Sequence, residues 1–245
     1  MHRTLRRLIS GVLLAAMPAL GMVALAPAAQ AHDGHEHALD WANYEKVTLT
    51  KDTGEPIDLA VMPDNRVLHT ARNGDLRLTD PGSGVTKVVN HLDVYQNSEM
   101  GLQTVTLDPD FATNKWVYLY YSPPLSTPAG SAPLQLPAGE TDAYWDRWKG
   151  YDALTRFKWT GDKLDLSTAQ EIIRVETNRG QCCHVAGDVD FDADGNLFLA
   201  TGGNTPASGP NVNGYTPIND APTYNPGLDE RRGSGNTNDL RGKIL

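Results

Sequence analysis

The sequence predicts an all-β fold of the propeller class, and three observations carry that expectation. Short alternating apolar runs are divided by Gly, Pro, Asn and Asp turns along most of the 245 residues. Three of the resulting hairpins, VMPDNRVLHTA, TLDPDFATNKWVYLYY and DFDADGNLFLA, share one template of apolar strand, Asp-containing turn and second apolar strand. Their turn aspartates, Asp64, Asp110 and Asp194, stand 46 and 84 residues apart. That is about one and two units of the ~40–50-residue period of a propeller blade.

The chain opens on a segment that does not belong to the fold. Arg3, Arg6 and Arg7 precede an apolar run from Leu8 to Ala26, and Ala29-Gln30-Ala31 follows as a small-x-small cleavage site. Residues 1–31 therefore read as a secretory signal peptide, and the mature protein is expected to be extracellular. Pro18 and Pro27 interrupt the run, which argues against a membrane anchor. Arg6-Arg7 lacks the rest of a twin-arginine signal. No later stretch approaches the ~18 apolar residues that span a bilayer, so no membrane span is expected after signal removal. Residues 32–54 read as a leader, His-rich at its start, where HDGHEH offers His32, His35 and His37 as metal ligands or as a disordered polar terminus.

Residues 55–245 carry the strands. LAVMPDNRVLHTARNGDLRLTD (Leu59 to Asp80) reads as three strands, with turns at Pro63-Asp64-Asn65 and at Asn73-Gly74-Asp75, the latter expected to be of the mirror-image hairpin type. VTLDPDFATNKWVYLYYS adds two strands around an Asp-Pro-Asp turn. LTRFKWTGDKLDL (Leu154 to Leu166) and VDFDADGNLFLATGG (Val189 to Gly203) are further hairpins, and Leu240–Leu245 reads as one more strand. The larger gap in the repeat is assigned to an insertion at about 123–152, between inner and outer strands of the second blade. Tyr144, Trp145, Trp148 and Tyr151 at its end could stack on sugar rings or pack a short helix, since residues three apart share a helical face. About three blades are counted. Closed propellers have roughly four to eight, and open edges are a liability, so the chain is expected to be an incomplete, N-terminal fragment.

Charge narrows the partners. Without the three signal arginines the chain has 18 Lys+Arg against 30 Asp+Glu, a net charge of −12. An acidic surface of this size argues against nucleic acid. Two cysteines in an exported chain permit one disulfide.

The densest chemistry lies in RGQCCHVAGDVDFDADGNLFLATGG (Arg179 to Gly203). The run Asp188, Asp190, Asp192, Asp194 suggests a calcium loop. Counted from Asp190, however, the twelfth position is Thr201 where an EF-hand needs Glu, and a plain turn is expected. Adjacent Cα atoms lie about 3.8 Å apart, below the usual disulfide range of roughly 4.4–6.8 Å. A Cys182–Cys183 bond would therefore be strained. Buried thiols, and a metal site with His184, stay open beside it.

These residues carry a resemblance. Gly101-Leu102-Gln103 with Leu107-Asp108-Pro109-Asp110-Phe111 and Trp116–Tyr121, then His184-x-x-Gly187-x-Val189-x-Phe191-x-x-Asp194-Gly195-x-Leu197-Phe198 with Thr201-Gly202, then Arg241–Leu245, resemble in order the blocks of the soluble glucose/sorbosone dehydrogenases. The Cys-Cys-His form is similar to the secreted actinobacterial members. The resemblance implies a six-bladed β-propeller that holds pyrroloquinoline quinone (PQQ) and calcium and oxidises an aldose-type sugar, with an external electron acceptor. It implies that His184 is the base taking the hydroxyl proton, a role suited to a side chain whose ordinary pKa lies near 6.5. It further implies that Glu99, Cys183, Gly203 and Asn204 reach the cofactor. Cys183 and Gly203 stand where aspartates are common. The cations for the cofactor's carboxylates and the calcium ligands are expected beyond Leu245, which leaves no metal site within the chain and the isolated chain inactive. A calcium-dependent lactonase-like propeller and a non-catalytic sugar- or partner-binding propeller are the competing readings.

Overall fold

A computed structural model describes residues 43–181, 184–203 and 222–245. Residues 1–42, which hold the expected signal segment and the histidine-rich start of the leader, lie outside the described residues, as do Cys182, Cys183 and Asn204. The chain divides into two compact units, Met1–Val47 and Thr48–Leu245. The second contains the strands found among the described residues.

Three antiparallel sheets follow one another along the chain. The first contains β1 (Pro56–Val61), β2 (Val67–Ala71), β3 (Asp75–Asp80) and β4 (Val85–His91), in that spatial order. The second contains β5 (Leu102–Leu107), β6 (Trp116–Tyr121), β7 (Lys149–Thr160) and β8 (Lys163–Asn178). The third pairs β9 (Ala186–Phe191) with β10 (Leu197–Thr201). Residues 243–245 lie along its edge, where Leu199 and Leu245 exchange backbone hydrogen bonds of 3.1 and 2.9 Å.

The sequence of β6 shows why the sheets stack. Successive strand side chains point to opposite faces. In WVYLYY, Val117 and Leu119 join Leu68, Leu76, Leu102 and Phe157 in one core. Tyr118 and Tyr120, between them, join Leu154, Val175, Val189 and Leu199 in another. The second sheet is thus apolar on both faces and lies between the first and the third.

The first strands of the three sheets run side by side and in the same direction. Thr104 donates its hydroxyl to the carbonyl of Gly187, and Thr106 donates to Val189 at 2.6 Å, so β5 and β9 advance in step. Leu102 N–H donates to Arg72 at the end of β2, which pairs with the start of β1. The starts of β1 and β5 therefore lie together. All three Asp turns fall at the opposite end.

Two turns differ from expectation. The Asp-Pro-Asp turn holds a one-turn helix, α1 (Phe111–Asn114), closed by Lys115 at φ 61°. Asp108 organises it by accepting from Asp110 N–H at 3.0 Å, Asn114 Nδ2 at 2.6 Å and Tyr118 OH at 2.9 Å. Burial alone would raise the Asp108 pKa, but these bonds outweigh it and hold the carboxyl below its ordinary value. In the Ala71–Gly74 turn only Gly74 has positive φ, at 99°. Asn73 does not, so this is an ordinary turn closed by a glycine rather than the mirror-image type.

The insertion joins the second and third strands of its sheet and ends at Trp148. Tyr151 and Asp152 belong to β7, not to the insertion. Its last turn is a 3₁₀ helix over Asp142–Trp148 that buries Trp145 and Trp148 against Ala132. Both tryptophans are mostly buried in this packing, and Trp145 keeps an edge on a cleft. No helix among the described residues is long and apolar enough to cross a membrane.

Candidate functional site

The end of the sheets opposite the Asp turns gathers three of the residues that the sequence singles out. Glu99 lies three residues before β5, His184 two before β9, and Gly203 two after β10. Antiparallel topology puts all three at this end. The backbone is unusual here. Ser98, His184 and Ala186 take φ of 53°, 63° and 53°, a conformation that costs a residue with a side chain about 1–2 kcal/mol. Such strain persists only where surroundings enforce it.

The surroundings of Glu99 are visible in the hydrogen bonds. Gln103 Nε2 donates to the Glu99 carbonyl at 2.5 Å, and Arg72 Nη1 donates to the Ser98 carbonyl at 2.6 Å. Arg72 Nε also binds Glu55 at 2.7 Å. The Glu99 side chain remains exposed.

The His184 backbone is held from two sides. Its carbonyl accepts from Arg241 Nη2 at 3.3 Å. A Cβ at Gly202 would overlap that carbonyl, so only glycine fits against it. Gly187, at φ 122°, lies against the Tyr120 ring, which a Cβ would also overlap. The imidazole itself is exposed.

Glycine at 202 thus has a cause inside the protein, the His184 backbone, whereas residue 203 faces only the end of a side chain. A Cβ on Gly203 would stand 2.6 Å from both carboxylate oxygens of Glu230. That carboxylate lies where a side chain at 203 would point, and would have to turn aside for one. It also accepts from Ser234 N–H at 3.2 Å.

Below the His184 loop is a buried polar group that sequence reasoning missed. Tyr120, Asp152 and Arg179 are 0%, 1% and 0% exposed, and Arg241 is 3% exposed. Ser122 Oγ donates to Asp152 Oδ1 at 2.5 Å. Arg179 Nη2 donates to the carbonyls of Pro123 at 2.7 Å and Tyr151 at 2.9 Å. Burial pushes the Asp152 carboxyl up, although Ser122, Arg241 and Arg179 pull it down. Burial likewise lowers Arg179 against the pull of Asp152, and it raises the Tyr120 hydroxyl. No residue pattern announces these groups, because their partners are tens of residues away in sequence.

Two clefts open beside the insertion and the 222–241 loop. The larger, of about 670 Å³, is lined by Trp145, Lys149, Tyr224, Asp229 and Arg231 among others. The smaller, about 190 Å³, reaches Thr177, Glu230 and Arg241. His184 lines neither. The Asp188–Gly195 run is a hairpin turn: Asp192 Oδ1 accepts from Asp194 and Asn196 N–H at 3.0 and 2.8 Å. Among the described residues no three His, Cys, Asp or Glu side chains group to hold a metal.

The family model for glucose/sorbosone dehydrogenase matches residues 53–213. The chain belongs to the glucose/sorbosone dehydrogenase family. It is 28% identical over 151 residues to aldose sugar dehydrogenase YliI of Escherichia coli, covering 61% of this chain and 35% of that one. Among solved structures, the apo form of the soluble aldose sugar dehydrogenase of E. coli superposes with a TM-score of 0.55 at 22% identity, over 81% of this chain and 45% of that one. The PQQ-bound aldose sugar dehydrogenase of Streptomyces coelicolor gives 0.54 at 19% identity, over 81% and 46%. These superpositions show that family members share the fold of stacked antiparallel sheets. The chain spans about a third of the curated relative and under half of the solved ones.

Proposed function

We propose that this family member is a secreted quinoprotein oxidoreductase acting on a hydroxyl of an aldose-type sugar. The observation that carries the reading is the exposed imidazole of His184 on a strained, doubly held backbone, at the end of the sheets that also bears Glu99 and Gly203. When bound, PQQ supplies the hydride acceptor. His184 takes the hydroxyl proton as the carbonyl of the product forms, a role worth about 10²–10⁴ in rate for a placed general base. An external acceptor would then take the electrons.

The residues at this end fit the proton-accepting side of that chemistry. Glu99 offers an exposed carboxylate, able to accept from N–H or O–H groups of a ligand, and Gly203 offers backbone beside the Glu230 carboxylate. Anion binding is different. Arg72, Arg241 and Lys243 at this end are each bound to protein acceptors. The cationic partners of the cofactor's carboxylates, and the calcium ligands, are assigned in this reading to sequence beyond Leu245. Cys183 and Asn204 are retained as cofactor contacts, and export as the result of cleavage before His32.

The test uses the full-length gene product. Saturable PQQ binding, sugar-dependent dye reduction, and a His184→Ala variant that binds PQQ but turns over about 10²–10⁴ more slowly are the expected results. Undiminished turnover by His184→Ala overturns the assigned base. PQQ binding without turnover replaces the enzyme by a binding protein, and metal-dependent lactone hydrolysis without quinone replaces it by a lactonase. Secretion is checked by finding His32 as the N-terminus of protein from the medium.

A further inference from the structure

The side chain of Arg241 ties together the segments around His184. It is buried, with 3% exposure. Its Nη2 donates to the His184 carbonyl at 3.3 Å, its Nε to the Gly202 carbonyl, and its Nη1 to Thr177 Oγ1. Those acceptors come from three places: the loop before β9, the residue after β10, and the end of β8. Its own backbone is fixed as well, with its N–H on Asp239 Oδ1 at 2.8 Å and its carbonyl accepting from Lys243 Nζ at 2.7 Å.

Two features make this more than packing. A buried guanidinium is expensive unless its donors are used in good geometry, and the planar fork of arginine serves several acceptors at once in a way lysine cannot. Here two of the three acceptors are the carbonyls of His184 and Gly202, which themselves pack so closely that residue 202 admits no Cβ. The second feature is the left-handed backbone at His184, with φ 63°. Relaxing that φ would rotate the carbonyl away from the guanidinium and swing the imidazole with it. The Asp152 carboxyl, buried beside this group, lies within electrostatic reach of Arg241.

We infer that Arg241 is a positioning residue: it acts through the backbone of His184 and Gly202, and so sets the direction in which the imidazole faces the substrate. The inference rests on His184 being the proton acceptor. It assigns Arg241 no contact with sugar or cofactor.

The test is a double-mutant cycle in the full-length, PQQ-loaded protein with Arg241→Met, His184→Ala and the pair. Misplacing a reacting group by about 1 Å can cost ~10²-fold. Arg241→Met should therefore lower kcat by about tenfold or more, with KM for the sugar and Kd for PQQ within about threefold. Added to His184→Ala, it should cost no further kcat, because both changes act on one group. Arg241→Lys keeps the charge but cannot serve three acceptors, so it should behave like Arg241→Met, and it carries the cycle if the methionine variant fails to fold. Loss of turnover in His184→Ala with unchanged kcat in the Arg241 variants overturns this inference alone. So do losses that multiply in the double variant. Normal turnover by His184→Ala overturns the proton-acceptor reading together with this one.

Discussion

The carboxylate of Asp58 on β1 accepts the backbone N–H of Val105 on β5 at 3.0 Å, joining the first two sheets through a side chain rather than a strand ladder. The same device recurs between the sheets. Thr70 Oγ1 donates to the Gln103 carbonyl at 2.8 Å, and Thr104 and Thr106 donate to carbonyls of β9. Inner strands that lie side by side without ladder bonds leave backbone groups needing partners, and short polar side chains provide them. Asp58→Ala leaves the Val105 N–H without its partner and should lower unfolding free energy by about 1–3 kcal/mol. Urea denaturation at constant m-value measures it; a change within about 0.5 kcal/mol, the range of ordinary surface substitutions, would show that Asp58 contributes nothing.

His69 should leave a mark on the acid side of the stability curve. It is buried in β2, with Nε2 3.1 Å from Thr79 Oγ1. Burial, helped by Arg77, holds its pKa below the ordinary histidine value. The unfolded chain therefore takes up this proton near pH ~6.5, before the folded chain does. The stability involved is fully present above that pH and is lost as pH falls through the folded value. His69→Gln keeps a hydrogen-bonding group and removes the titration. The Tm of the wild type should fall more steeply below pH ~6.5 than that of the variant. Parallel Tm curves would contradict the assignment.

The strands were legible in the sequence because their alternation has one cause, burial on one face or both. WVYLYY is the plainest case, and the Asp64, Asp110 and Asp194 turns marked one end of the sheets. The one-turn helix at Phe111 was not legible, since four residues carry no period and the turn depends on Asp108 gathering donors from Asn114 and Tyr118. His184, Glu99 and Gly203 were reached through family resemblance. The groups that hold His184 were not, because Arg241 meets Thr177 and Gly202 only after three segments have converged. Nothing in the bare sequence separates a buried arginine from an exposed one. The resemblance assigns Gly203 to the cofactor, but it does not show that a Cβ at residue 202 would overlap the His184 carbonyl.

Ser122→Ala tests the buried carboxyl. Ser122 gives Asp152 Oδ1 its hydrogen bond, while Oδ2 has no donor among the described residues. Removing that bond from a buried acceptor should cost about 1–3 kcal/mol at neutral pH. Burial already raises the Asp152 pKa, and Ser122 opposes it, so the variant should raise it further. An acid raised in the folded state binds its proton first in that state, so its penalty is present above the folded pKa and fades as pH falls through it. The destabilisation should therefore shrink on acidification. A cost independent of pH would mean that the hydroxyl serves packing alone.

Two glycine-to-alanine changes separate backbone strain from displacement of the site. Gly195, at φ 81°, has nothing within 4 Å of a built Cβ. Gly195→Ala should cost about 1–2 kcal/mol of stability from the left-handed backbone and leave turnover unchanged. Gly202 does not need positive φ, so alanine there is not strained by its own backbone. Its Cβ would instead overlap the His184 carbonyl and strike Ala186. The loop before β9 must move, and with it the imidazole. Gly202→Ala should therefore lower kcat in the full-length protein by about tenfold or more while sheets one and two keep their amide protection. Equal turnover by the two variants would show that the loop tolerates the displacement, and that the close packing of residues 184 and 202 does not orient the histidine.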